Sequence, residues 1–137
     1  IFTTNNPFIR SLSNTSMPTA DEVELFLKQV REKMDFNPVG VVYRPRKKNA
    51  DTLASLEMVP VARNDVIKKL TADNYYGGPK SDTHNEKMPN YYEFGVIVKG
   101  KEIYIKLNIG LPNKPIDCMS FHTAEFPMTY PLKTQSK

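Results

Sequence analysis

YYEFGVIVKGKEIYIKLNIGLPNKPIDCMSFHTAEFP, residues 91–127, decides how this chain folds. Apolar and polar residues alternate along two consecutive runs, 92–98 and 101–109, with Lys99-Gly100 between them. Alternation at period two marks half-buried antiparallel strands. A two-residue turn at Lys99-Gly100 sets the register. Val96 then faces Ile103, Phe94 faces Ile105 and Tyr92 faces Leu107, all on one face, the core face. The other face sets Glu93 across from Lys106, Gly95 across from Tyr104 and Ile97 across from Glu102. Gly95 leaves the Tyr104 ring uncovered. A third run, 116–123, follows a loop of Gly, Pro and Asn at 110–115. With Met119 and Phe121 turned to the core, Ser120 and His122 join Glu93, Tyr104 and Lys106 on the polar face. A carboxylate, an ammonium, a phenol and an imidazole on one sheet face form a set for general acid–base chemistry. The same pattern also describes a solvated face closed by a Glu–Lys cross-strand pair.

The chain has 137 residues, a quarter of them charged, which suits one domain with a real core. No apolar run reaches the length of a membrane span, and the N-terminus lacks the basic and apolar regions of a signal peptide. The first residue is Ile1, which implies a chain that is processed, trimmed or cut from a longer one. The single cysteine, Cys118, excludes an internal disulfide. Its place in a strand pattern predicts a small buried or half-buried thiol and not a nucleophile. A net charge of +4 suits an anionic partner such as RNA or an acidic protein, and is shared by many proteins that bind neither.

Residues 1–18 are rich in Ser, Thr and Asn and read as a flexible lead-in; residues 19–137 read as a single domain. A helix starts after Thr19, where Thr-Ala-Asp-Glu forms a capping box with acidic residues in the first turn. Val23, Phe26, Leu27, Val30 and Met34 recur at helical spacing, and Asn37-Pro38 ends the run. Residues 39–43 read as a short strand. The densest basic cluster, Arg44, Arg46, Lys47 and Lys48, is either a phosphate-contacting loop or a solvated one. Leu53, Leu56 and Met58 mark a short helical or irregular segment. A second helix is expected over 62–72, with Val66, Ile67 and Leu70 inward and Arg63, Lys68 and Lys69 outward. Residues 77–90 show no periodicity and read as one long loop holding His84, an exposed histidine without a role. Residues 126–131 form an extended, proline-punctuated tail on the surface. The expected fold is α+β, with an antiparallel sheet of three or more strands and two N-terminal helices packed on one face.

Phosphate-binding glycine loops, dinucleotide fingerprints, CxxC and HExxH motifs and the Gly-x-Ser-x-Gly elbow are all missing. Two histidines and one cysteine make a His/Cys zinc site implausible. No metal and no cofactor is expected.

Tyr104-Ile105-Lys106 after a glycine turn, followed by Ser120-Phe121-His122 in the next strand, resembles the motility quorum-sensing regulator (MqsR-like) toxins. The likeness extends to the segments 46–49, 65–70, 73–75, 78–79, 92–95, 99–106 and 118–125, and covers residues 44–131. These toxins are small endoribonucleases of bacterial toxin–antitoxin modules, with a RelE-like or barnase/colicin-type α+β fold. The resemblance implies a cytoplasmic, metal-independent ribonuclease, with RNA, and mRNA in particular, as substrate and a cognate antitoxin as partner. Carried over position by position, it implies an active site at Lys68, Glu93, Tyr104 and His122. Glu93 stands where the family prototype has a neutral glutamine, and His122 where it has a lysine.

Metal-free RNA cleavage needs a base for the 2′-OH, an acid for the leaving 5′-oxygen and cations for the charge that builds on phosphorus. On this reading His122 transfers protons, and Lys106 and Lys68 hold the phosphate. Tyr104 donates to a phosphate oxygen or stacks on a base. Glu93 is the base, or it holds Lys106 in place. Arg44, Arg46, Lys47, Lys48 and Lys80 bind RNA. A non-catalytic RNA- or protein-binding module, and the effector domain of a larger delivered toxin, are the alternatives.

Overall fold

The computed structural model describes residues 17–134, so the lead-in over 1–16 lies outside the described residues. The fold is α+β. Three α-helices, α1 (Ala20–Phe36), α2 (Lys47–Leu56) and α3 (Arg63–Lys68), accompany a five-stranded sheet. Its strands are β1 (Val41–Tyr43), β2 (Tyr75–Lys80), β3 (Tyr91–Val98), β4 (Lys101–Asn108) and β5 (Ile116–Thr123). The spatial order is β1-β5-β4-β3-β2. β1 runs parallel to β5, so the sheet is mixed and not wholly antiparallel as the alternation implied.

The central hairpin follows the register set by its turn. Phe94 opposes Ile105, Val96 opposes Ile103 and Glu93 opposes Lys106. Lys99 and Gly100 both take positive φ, the backbone twist that matches two paired strands. Phe94, Ile103, Ile105 and Leu107 are fully buried on one face, in one cluster with Phe121, Ile116 and Cys118. Burying each such large side chain contributes about 1.5–3 kcal/mol. The stripe of α1 belongs to the same cluster, with Phe26 stacked 4.0 Å from Tyr92 and 6.3 Å from Phe94 between ring centroids. Thr19 and Glu22 close the expected capping box, backbone N–H to side-chain oxygen at 2.8 and 3.1 Å.

Several expectations give way. The 62–72 helix is a six-residue α3 between two short 3-10 turns, Pro60–Ala62 and Ala72–Asn74. Arg63 is buried and stacks 3.7 Å over the Tyr43 ring, since a guanidinium packs flat on an aromatic face. The basic cluster is not one loop, because Lys47 and Lys48 open α2. That helix covers the part of β5 that the short β1 leaves unpaired. Asn49 Oδ1 accepts from Phe121 N at 3.0 Å, and Thr52 Oγ1 accepts from Thr123 N at 2.9 Å. Residues 75–80 form β2, which leaves only 81–90 as loop.

β5 carries a bulge. Lys106 pairs with Ser120 while Leu107 pairs with Cys118, so Met119 is the extra residue. Cys118 therefore takes the core place expected of Met119. The Met119 sulfur lies 3.7 Å from the Asn108 amide nitrogen, outside the core cluster. Burial pushes the Cys118 thiol up to about 12, and it stays free and inert.

Candidate active site

The polar face of β3, β4 and β5 holds Glu93, Tyr104, Lys106, Ser120 and His122 by strand register alone. It is not an open solvated face. After β5 the chain turns back across the sheet as a strap, residues 124–134. Glu102 pins it with both carboxylate oxygens, one accepting from Met128 N at 3.1 Å and the other from the Tyr130 hydroxyl at 2.6 Å. Burial, with that Glu102 bond, raises the Tyr130 phenol above its ordinary range. Thr134 holds the far end on Asp73 at 2.9 Å. Gly95 makes the crossing possible. A Cβ there would fall 2.8 Å from the Met128 sulfur and nearer still to the Tyr130 hydroxyl. The space left by Gly95 is thus filled by the strap, while Tyr104 across from it lines an open cleft.

Between strap and sheet lies a cleft of about 220 Å³. The sheet supplies Tyr76, Glu93, Tyr104 and His122, and the strap supplies Ala124, Glu125, Phe126 and Met128. Glu93 is 7% exposed despite its place on the polar face. Its Oε2 accepts the Tyr104 hydroxyl at 2.6 Å. The Lys80 ammonium stands 2.7 Å from Oε1, in ion-pair range though off the line of a hydrogen bond. Gly77 gives this carboxylate its room, since a Cβ there would meet Oε1 at 2.5 Å. Burial, then the bond to Glu93, drives the Tyr104 phenol well above its ordinary range, so it stays a protonated donor. Contact with Glu93 raises the Lys80 ammonium in turn.

The His122 ring stands 5.3 Å from the Tyr104 ring, centroid to centroid. Its Nδ1 lies 2.9 Å from the Thr123 carbonyl oxygen, which only accepts. Nδ1 is therefore the donor, and in the neutral ring Nε2 is left as the proton acceptor. His122 also lines a second, more open cleft of about 280 Å³ along α2, with Lys48 and Ser55.

Lys106 does not pair with Glu93, although the two are directly opposed. Its ammonium lies 4.4 Å over the Tyr91 ring, and among the described residues no carboxylate forms an ion pair with it. Burial, then the Arg46 charge, lowers its pKa below 10.5, partly offset by Glu93 and Asp82. Lys68 is not brought to this cleft. It pairs with Asp35 of α1 at 3.3 Å. Of the remaining basic candidates, Arg44 is held by Asp117 through bonds of 3.2 and 2.8 Å, with Asp82 3.8 Å away. Lys47 pairs with Asp51 and Lys48 with Glu125. Arg46 is exposed at the N-cap of α2. His84 is exposed in the 81–90 loop, where its backbone N–H caps Asp82 at 3.0 Å.

The alternation pattern did not reveal Tyr76, Phe126 or Met128 as cleft residues. A strap's path depends on its anchors, and the usable signals were Gly95 on a polar face and the proline-spaced tail. Among the described residues, no three His, Cys, Asp or Glu side chains gather closely enough to hold a metal ion, and no helix is long and apolar enough to cross a membrane. No family model, curated protein or solved structure matches the chain.

Proposed function

We propose that the protein is a metal-independent endoribonuclease that cleaves single-stranded RNA in the strap-covered cleft, a toxin with a RelE- or barnase-like fold held in check in the cytoplasm by a cognate antitoxin. The observation that carries this reading is the meeting of Glu93, Tyr104 and His122 in one cleft, with Lys80 on Glu93 and Lys106 opposed to Glu93 on the same sheet face. The toxin and antitoxin parts of the reading rest on the MqsR-like resemblance.

The chemistry is a transesterification. Nε2 of His122 takes the proton of the ribose 2′-OH, and the 2′-oxygen attacks phosphorus. Tyr104 stays protonated, its one proton resting on Glu93 Oε2 until substrate arrives, and it turns that proton to a non-bridging phosphate oxygen as charge builds there. Lys106 and Lys80 add positive charge. The bond from phosphorus to the 5′-oxygen breaks as the 2′-oxygen bonds, and the 5′-oxygen takes a proton from water, giving a 2′,3′-cyclic phosphate and a 5′-OH, while His122 returns its proton to solvent. Glu93 orients Tyr104 and Lys80, both of its oxygens being engaged by them. It serves here as a positioning residue and not as the base. Purified chain incubated with defined RNA is expected to give those termini by mass spectrometry, equally well with EDTA present. A 3′-OH with a 5′-phosphate, or abolition by EDTA, overturns the proposal.

A further inference from the structure

The cleft has an apolar side that the proton-transfer groups do not explain. Tyr76 reaches it from β2, edge-on to the Tyr104 ring at 6.3 Å between centroids. Phe126 reaches it from the strap and is 64% exposed, a large aromatic surface left in water at a cleft wall. Met128 completes this side. The volume of about 220 Å³ lies below the roughly 300–1,000 Å³ of pockets that enclose a whole drug-sized ligand. A cleft of that size has room for one small unit, such as a single base of a longer chain. Unpaired bases bind proteins by stacking on aromatic faces, and the stack tolerates any base because every base has a π-face.

We infer that Phe126 and Tyr76 form a subsite for one unpaired nucleobase of single-stranded RNA, next to the phosphate that His122 and Tyr104 would address; the inference rests on the ribonuclease reading and names how its substrate is held. The geometry has two consequences. A base in this cleft lies against the sheet at Tyr104, so its ribose and phosphate stand near His122, which lines the same cleft. And the subsite exists only while the strap is seated, because Phe126 lies between Ala124, bonded through its N–H to the Glu102 carbonyl at 2.9 Å, and Met128, bonded to the Glu102 side chain. Phe126 is thus fixed on both sides while its own ring stays free for a ligand.

The test uses a short single-stranded RNA carrying one 2-aminopurine riboside, whose fluorescence is quenched when it stacks. Wild-type chain is expected to quench it. Phe126→Ala should weaken that binding about tenfold, within the roughly 5- to 150-fold that stacking on one aromatic is worth. Tyr76→Ala should weaken it as well, and Phe126→Tyr should restore it. In cleavage assays the Phe126→Ala loss should fall on KM and leave kcat within a few-fold. Unchanged affinity in Phe126→Ala, or RNA binding by wild type without quenching, overturns the subsite. Quenching without cleavage overturns the ribonuclease reading and leaves the base site standing. Cleavage with unchanged Phe126→Ala kinetics does the reverse. Neither binding nor cleavage overturns both.

Discussion

The two faces of this sheet are built by one alternation and end in opposite conditions. The core face buries Phe94, Ile105 and Phe121 completely, and their neighbours are other apolar side chains. The other face buries Glu93 almost as deeply, yet surrounds it with a phenol and an ammonium. Burial on the first face stabilises by removing apolar area from water. On the second it strengthens every charge–dipole contact and raises the cost of a missing partner. The second burial is built by β2 and β4, whose Gly77, Lys80 and Tyr104 close around the carboxylate, while the strap closes over Gly95 where any side chain would clash. A polar face covered this way holds its charged groups in fixed contacts, whereas a polar face left to water is only a solvated surface.

The sharpest way to break the comparison is at His122. If the covered face is catalytic, His122→Ala loses about 10²–10⁴-fold in single-turnover cleavage, the usual worth of a proton-transfer group. The fold survives, because the ring is half-exposed and bonds only to a backbone carbonyl. Circular dichroism checks folding, and His84→Ala serves as the control on an exposed loop. Equal rates for wild type and His122→Ala would return this face to the status of packed surface.

Glu93 separates positioning from proton transfer. Glu93→Ala leaves the Tyr104 hydroxyl without its acceptor and Lys80 without its carboxylate. An orphaned buried polar group costs about 1–3 kcal/mol, and a displaced catalytic group about 10²-fold in rate. Glu93→Gln keeps an acceptor for Tyr104, so cleavage should return to within about tenfold of wild type. Should Gln prove as inactive as Ala, with stability recovered, Glu93 is the base after all.

Much of this contrast was legible in the sequence. The Lys99-Gly100 turn and the β3 and β4 alternation predicted each hairpin pair, because a period-two pattern admits one register per turn geometry. α1 was legible from its capping box and stripe. The bulge at Met119 was not, since one extra residue costs little and its placement depends on how Asn108 and Cys118 pack. β2 was read as loop because Gly77, Gly78 and Pro79 signal a break, yet here Gly77 makes room for Glu93 and Gly78 lets β2 lie close against the backbone of Tyr91 and Tyr92. The cross-strand Glu93–Lys106 pair had the correct register and the wrong partner. Lys80 reaches the carboxylate from β2, a strand the pattern hid.

Lys106 offers a sharper trade between the two kinds of burial. Its ammonium is partly buried and, among the described residues, has no ion pair; burial, then the Arg46 charge, lowers its pKa below 10.5. A lysine with a depressed folded pKa costs stability fully below that pKa. The cost is relieved as pH rises from the folded value towards the unfolded one, because the unfolded chain there binds more protons. Lys106→Met should therefore melt higher than wild type at pH 7, with the gap narrowing as pH approaches 10.5. The same variant should bind RNA more weakly, and its slope of log affinity against log salt should flatten by about 0.7, the share of one phosphate contact on a single strand. A variant that melts higher with an unchanged salt slope would make Lys106 a strained surface group and not a phosphate contact.

The smallest expected effect is at Lys68, where resemblance and geometry part. The MqsR-like pattern assigns this helix lysine to the active site. In this fold it is the exposed last residue of α3, paired with Asp35 at 3.3 Å. Asp35 lies near the end of α1, the helix whose stripe packs on the core side of the sheet. The cleft lies on the other side, with Glu93, Tyr104 and His122. Lys68→Ala should then cost no more than the 0–1 kcal/mol of a surface ion pair, and leave cleavage within about twofold. Asp35→Ala should match it in both respects, because the two residues share one contact. Single-turnover rates and thermal melts of both variants decide the point. A loss near that of His122→Ala in Lys68→Ala, with Asp35→Ala silent, would mean that α3 moves its lysine around the sheet to the substrate. The two faces would then not be separate, since a helix of the core side would be serving the chemistry of the other.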